Sequence, residues 1–154
     1  MEVTGVIGLD PGETTGWARI YDGQFMSGQA ALWDVMEWLW LALDTGLRPT
    51  IFCEDFIITQ ETAKKSRQTA PLDGIGAVKF MAHYFDLALV MQTPTQAKRF
   101  ATDEKLMALD WYKPTKGGHA NDAARHLMVG LVGQKVLNPK DLMLTIPDEL
   151  KIGE

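Results

Sequence analysis

Residues 3–20 read VTGVIGLDPGETTGWARI. The apolar run passes straight into Asp10, then into Pro11, Gly12, Thr14, Thr15 and Gly16. A strand normally ends in a turn with no chemistry attached. This turn carries an acid at the edge of a buried sheet, beside small and hydroxyl residues that let a large ligand approach the backbone. The combination suits a binding site.

Working outward, residues 16–30, GWARIYDGQFMSGQA, read as two strands joined at Asp22-Gly23, a dipeptide suited to a tight hairpin. In ALWDVMEWLWLALDTG, residues 31–46, Trp33, Met36, Trp40 and Leu43 recur at helical spacing and Gly46 supplies a stop. The helix tryptophans Trp33, Trp38 and Trp40 read as core, and apolar character around much of the helix also fits a subunit contact. PTIFCEDF (49–56) is a fourth strand, IITQETAKKSRQTAP (57–71) a polar loop, LDGIGAVKFMAHYFD (72–86) a second helix, and LALVMQ (87–92) a short strand. Pro94 breaks the chain before TQAKRF, and a helix spans TDEKLMALDWY (102–112). After the loop KPTKGG, HANDAARHLMVGLVG (119–133) forms the last amphipathic helix.

This order predicts an α/β fold: a mixed five-stranded sheet, with three antiparallel strands followed by parallel ones, covered by helices on both faces. It resembles the ribonuclease H-like arrangement. A hairpin before the first crossover helix separates it from an all-parallel doubly wound fold. One domain is expected over residues 1–135, with a Pro-punctuated tail over 136–154.

Composition narrows the classes. With 154 residues, 46% of them hydrophobic, the chain can bury its own core. The lone Cys53 excludes an internal disulfide framework and a cysteine zinc site. The start MEVTGV has no signal-peptide pattern, and the most apolar stretch is too short and too acidic to span a bilayer, so a cytoplasmic protein with no membrane association is expected. A net charge of −5 argues against nonspecific coating of nucleic acid. Basic residues nevertheless cluster at Lys64, Lys65 and Arg67, at Lys98 and Arg99, and at Lys113 and Lys116, enough for a basic face on an acidic protein.

Three carboxylates converge in such a sheet. Asp10 ends the first strand, Glu54 lies in the fourth, and Asp122 lies one turn into the last helix, with His119 three residues before it on the same face. Acids gathered without a counter-ion repel one another, and a divalent cation such as Mg²⁺ or Mn²⁺ removes that cost. Each residue also has a plainer reading. Asp10 suits a turn, Asp55 competes with Glu54 for the inward face, and Asp122 or His119, with Asn121 beside them, could cap the helix.

IGLDPGETTGWA (7–18), IFCEDF (51–56) and HANDAARHL (119–127) resemble the first, second and last motifs of the RuvC family of Holliday junction resolvases, in particular its divergent, phage-type members. The likeness spans roughly the first 130 residues. It implies that Asp10, Glu54 and Asp122 are catalytic metal ligands and that His119 occupies a position where the family has Asp or His. It further implies a two-metal Mg²⁺ or Mn²⁺ site, a homodimer, and symmetric nicking of branched DNA that leaves 5′-phosphates and 3′-hydroxyls. Lys98 and Lys105 approximate DNA-contacting lysines of the family, and Lys64, Lys65, Arg67 and Lys116 extend the expected DNA surface. The family's aromatic wedge has no match, because Phe56 is too close to Glu54 and Ile57 is not aromatic. His126, four residues after Asp122, reads as a core histidine or as one supporting a ligand, and otherwise as the end of a His-Asp-His metal pattern.

Two other classes share features of the sequence. The opening turn also resembles the phosphate-gripping turn of sugar kinases and actin-like ATPases, which require two such domains. A junction-binding module without catalysis would keep the fold, yet has no use for acids beside phosphates.

Overall fold

The computed structural model describes residues 5–61 and 69–140. Its sheet has the order β3-β2-β1-β4-β5, built from β1 (Val6–Asp10), β2 (Thr14–Tyr21), β3 (Gln24–Ala31), β4 (Thr50–Glu54) and β5 (Leu89–Gln92). β1, β2 and β3 pair antiparallel, whereas β4 and β5 run parallel to β1. The β2–β3 hairpin closes on Asp22 and Gly23 at φ 52° and 72°, the left-handed pair such a two-residue turn requires.

β1 is buried along its whole length, and its alternate residues face two different cores. Val6 faces the same side as Ala18 and Phe52, and this core is completed by Leu127, Met128 and Leu131 of α5 (His119–Gly133). Ile7 and Leu9 join Ile51 and Cys53 on the other side, under α1 (Leu32–Asp44) and α2 (Ala70–Tyr84). The buried Cys53 thiol is pushed up by desolvation, as befits a core residue.

α5 lies against β1 and β2 because glycines leave room for its backbone. A methyl group at Gly16 would overlap the His119 carbonyl, and one at Gly8 would overlap that of Ala123. Further along the helix, Gly130 receives the ring of Phe52.

Several local expectations change. Trp33 is 61% exposed, because the buried stripe of α1 is Leu32, Val35, Met36, Leu39 and Leu43. Trp38 and Trp40 pack only at the margin of the core. Pro94 does not break the chain: it opens α3 (Pro94–Phe100), where its missing N–H costs nothing, and the Thr93 hydroxyl caps the helix by accepting from the Gln96 N–H. The next helix, α4 (Asp103–Ala108), is shorter than its apolar spacing suggests, and Asp110 turns the chain at φ 59°. α2 starts two residues earlier than expected, with Pro71 in its first turn. Val136 and Leu137 are buried in the α5 core. Among the described residues, no helix is long and apolar enough to cross a membrane.

Candidate active site

Asp10 has the same strand parity as Val6 and Gly8, so it faces α5. Glu54 has the parity of Phe52. Leu9 pairs with Cys53 in the parallel ladder, which sets Asp10 level with Glu54 at the carboxyl ends of neighbouring strands. Asp55 lies beyond the strand, and its carboxylate accepts the Phe56 N–H at 2.9 Å. The competition between Glu54 and Asp55 is thus decided by where the ladder ends.

The other two residues come from the start of α5, which follows a short 3₁₀ turn (Lys116–Gly118) with Gly117 at φ 79° and Gly118 at φ 70°. No side chain caps this helix. Gln29 instead ties it to β3, donating to the Lys116 carbonyl at 2.8 Å and accepting from the Ala120 N–H at 3.3 Å. Asn121 grips the backbone of Lys113 in both directions, at 2.9 and 2.8 Å. His119 Nδ1 lies 3.3 Å from Asp10 Oδ2. Asp122 accepts from Arg125 Nε at 3.3 Å, and Arg125 is itself anchored by the Ala101 carbonyl and by Asp103. The helix-cap reading of His119 and Asp122 therefore fails, and both side chains line a cleft of about 420 Å³ together with Asp10, Glu54 and Phe56.

Burial dominates the electrostatics. The Asp10 carboxyl is pushed up to about 9 by desolvation, by its hydrogen bond to Glu54 and by the charges of Glu54 and Asp122. Burial pulls Glu54 the same way. Hydrogen bonds with His126 and Asp10, and the charges of His126 and Lys98, outweigh that pull and hold it below its ordinary value. The two neighbouring carboxyls are thus driven in opposite directions, Asp10 upward by burial and Glu54 downward by its hydrogen-bond partners. Among the described residues, no three His, Cys, Asp or Glu side chains stand close enough together to hold a metal ion as they are placed. The chemistry of the set nevertheless fits a hard divalent ion: three carboxylates and an imidazole line one cleft, and the mutual repulsion that helps push Asp10 up is what a cation would relieve.

His126 is the residue whose role the sequence left open. It is fully buried, with Nε2 3.0 Å from Glu54 Oε1 and Nδ1 2.9 Å from Gln92 Oε1. The one signal in the sequence was its place four residues after Asp122, on the same face of the helix. Of the basic residues, Lys98 acts on the charges of both Asp10 and Glu54. Lys105 turns inward, its ammonium donating to the Phe100 carbonyl at 2.9 Å and lying 3.8 Å from the centre of the Phe100 ring. Lys116 is exposed on the 3₁₀ turn. Lys64, Lys65 and Arg67 lie outside the described residues.

No protein-family model matches the chain, and no curated protein matches it in sequence. Among solved structures, Thermus thermophilus RuvC in complex with a Holliday junction substrate is similar at TM-score 0.59 and 17% identity, over 85% of this chain and 96% of that one. A second structure of Thermus thermophilus RuvC is similar at TM-score 0.54 and 15% identity, over the same 85% and 96%. The fold is therefore the ribonuclease H-like fold seen in RuvC, with the mixed five-stranded sheet and the helices on both faces that the sequence predicts.

Proposed function

We propose that this protein is a structure-selective endonuclease that resolves Holliday junctions and related branched DNA by metal-dependent phosphodiester hydrolysis. The observation that carries this reading is the convergence of Asp10, Glu54, His119 and Asp122 on one open cleft, in a fold shared with a protein solved on a Holliday junction.

Asp10, Glu54, Asp122 and His119 would hold Mg²⁺ or Mn²⁺. When bound, a pair of such ions activates a water and stabilises the leaving oxygen of an in-line displacement. The chain's own residues prepare that chemistry. Asp10, pushed up by burial and by the charges of Glu54 and Asp122, would have to give up its proton to serve as a ligand, so metal uptake would be coupled to proton release. Arg125 keeps the Asp122 carboxylate oriented from below. Gly12 and Thr14 form a low wall of the cleft over which a phosphodiester backbone can approach. Lys98 and Lys116, with Lys64, Lys65 and Arg67, would supply the basic surface for DNA, from which Lys105 is withdrawn by its contacts with Phe100; a homodimer would present two clefts to the two strands that must be cut.

The test is incubation of the protein with labelled four-way, Y-shaped and linear duplex DNA in Mn²⁺, beside Asp10→Asn, Glu54→Gln and Asp122→Asn. Branched DNA should be cut and linear duplex spared. Each variant should lose more cleavage than the roughly 10–100-fold expected from losing an outer partner of a ligand, while still binding the junction. Binding without cleavage in either Mg²⁺ or Mn²⁺ would favour the non-catalytic module. ATP hydrolysis with indifference to DNA would favour the actin-like reading.

A further inference from the structure

The last residue of β5, Gln92, pairs with Glu54 of β4 across the parallel ladder, so both side chains emerge in one row toward α5. Two residues earlier in β4, Phe52 meets Gly130. One helical turn back from Gly130, the same face of α5 presents His126 to Glu54. The ring has no exposed surface, and both of its nitrogens are engaged, by Gln92 at 2.9 Å and by Glu54 at 3.0 Å. A carboxylate offers only lone pairs, so Nε2 donates its hydrogen to Glu54, and Nδ1 meets the Gln92 side-chain amide, which can turn its NH₂ end to the ring. A buried imidazole is a costly way to fill a helix–sheet contact that Leu or Met fills at neighbouring positions, and its cost is offset only because both ends are bonded.

We infer that His126 is a positioning residue for the proposed metal centre: held at Nδ1 by Gln92, it fixes one oxygen of Glu54 and leaves the other to face the cleft. The inference rests on the reading of Asp10, Glu54, His119 and Asp122 as metal ligands and adds a residue that does not itself touch the ion. It also separates the two histidines of α5. His119 lines the cleft beside Asp10, whereas His126 is shut behind Glu54 and has no path to a ligand. Engagement of both ring nitrogens leaves His126 no lone pair for an ion, which argues against a His-Asp-His site on this helix face.

Side-chain length makes the inference testable, because Gln carries its amide nitrogen near the place of Nε2 and Asn near that of Nδ1. His126→Gln keeps a donor for Glu54, and His126→Asn keeps only the link to Gln92. Mn²⁺ binding by the full chain, followed through the signal of free Mn²⁺ in electron paramagnetic resonance, should weaken about tenfold or more in the Asn variant, the loss expected when an outer partner of a ligand is removed, and clearly less in the Gln variant, which keeps that partner. Thermal unfolding of the metal-free proteins reports on packing alone. Equal losses of Mn²⁺ binding in both variants, or none in either, would overturn the inference. If the Asn variant does not fold, Gln92→Leu carries the same test, since it leaves His126 in place and removes its anchor. Weakened Mn²⁺ binding with little change in metal-free unfolding is expected there, and unchanged binding would overturn the inference. A wild-type protein that takes up no Mn²⁺ would overturn the metal-centre reading, and this inference with it.

Discussion

Asp10 ends β1 level with Glu54 on β4, and burial together with the hydrogen bond and charge of Glu54 pushes the Asp10 carboxyl far above its ordinary value. Folding lifts the Asp10 carboxyl from 3.8 to about 9, so between those values the folded chain holds a proton that the unfolded chain has released. Stability of the metal-free protein should therefore fall as pH rises across that window. Glu54 works in the opposite sense, since its folded value is depressed: its contribution is present above its ordinary 4.5 and is lost only as the pH falls below that. Melting curves in a chelating buffer between about pH 5 and 9 should show Asp10→Asn more stable than wild type at the alkaline end, with a flatter slope. Parallel slopes would mean that the proton is not on Asp10.

The seat of α5 on the sheet depends on two missing methyl groups, and glycine substitutions should separate seat from surface. At Gly16 a side chain would meet the His119 carbonyl, so Gly16→Ala should cost about 1–3 kcal/mol and reduce cleavage further by lifting His119 and Asp122 off the strands. Gly76 lies inside α2 with nothing near a new methyl, and Gly76→Ala should raise stability by about 0.5–1 kcal/mol with cleavage unchanged. Denaturant unfolding of the two variants checks the sign, and a neutral Gly16→Ala would show that the helix can shift without loss.

The sheet was legible wherever local chemistry fixed it: the run into Asp10, the hairpin at Asp22-Gly23, and the stop at Gly46 each depend on residues adjacent in sequence. Asp10 and Glu54 could be named because strand parity and order follow from those elements. What could not be read depends on distant partners. His126 takes its role from Glu54 and Gln92, which lie on two different strands, and nothing in HANDAARHL specifies either contact. Trp33 misled because apolar spacing around much of α1 leaves the buried stripe ambiguous, and the sheet, not the helix, selects Leu32 and Val35 instead. Pro94 misled because the same residue that breaks a helix interior is favoured in its first turn.

Lys98 and Lys105 should differ in their effect on DNA binding. The charge of Lys98 reaches the carboxylates of the cleft, whereas the Lys105 ammonium is spent on the Phe100 carbonyl and ring. Lys98→Ala should weaken junction binding and lower the slope of log affinity against log salt by about one counterion. Lys105→Ala should leave that slope unchanged. Titrations at several salt concentrations decide this, and equal slopes for both variants would put the DNA path away from α3.

His119 is the one nitrogen donor among the cleft's acidic residues, with Nδ1 3.3 Å from Asp10 Oδ2 and its side chain 35% exposed to the cleft side. Mn²⁺ accepts imidazole more readily than Mg²⁺ does, so cleavage should be faster in Mn²⁺. His119→Asp replaces that nitrogen with a fourth carboxylate, a donor set that both ions accept, and should narrow the gap between them. The substitution also adds a charge beside Asp10, so the metal-free variant should lose stability relative to wild type at alkaline pH, where the Asp10 proton is lost. Cleavage rates in the two ions, measured with melting curves on the same samples, separate these effects. An aspartate variant that keeps the wild-type ratio of Mn²⁺ to Mg²⁺ rates would remove His119 from the ligand set and leave Asp10, Glu54 and Asp122 to hold the ions alone.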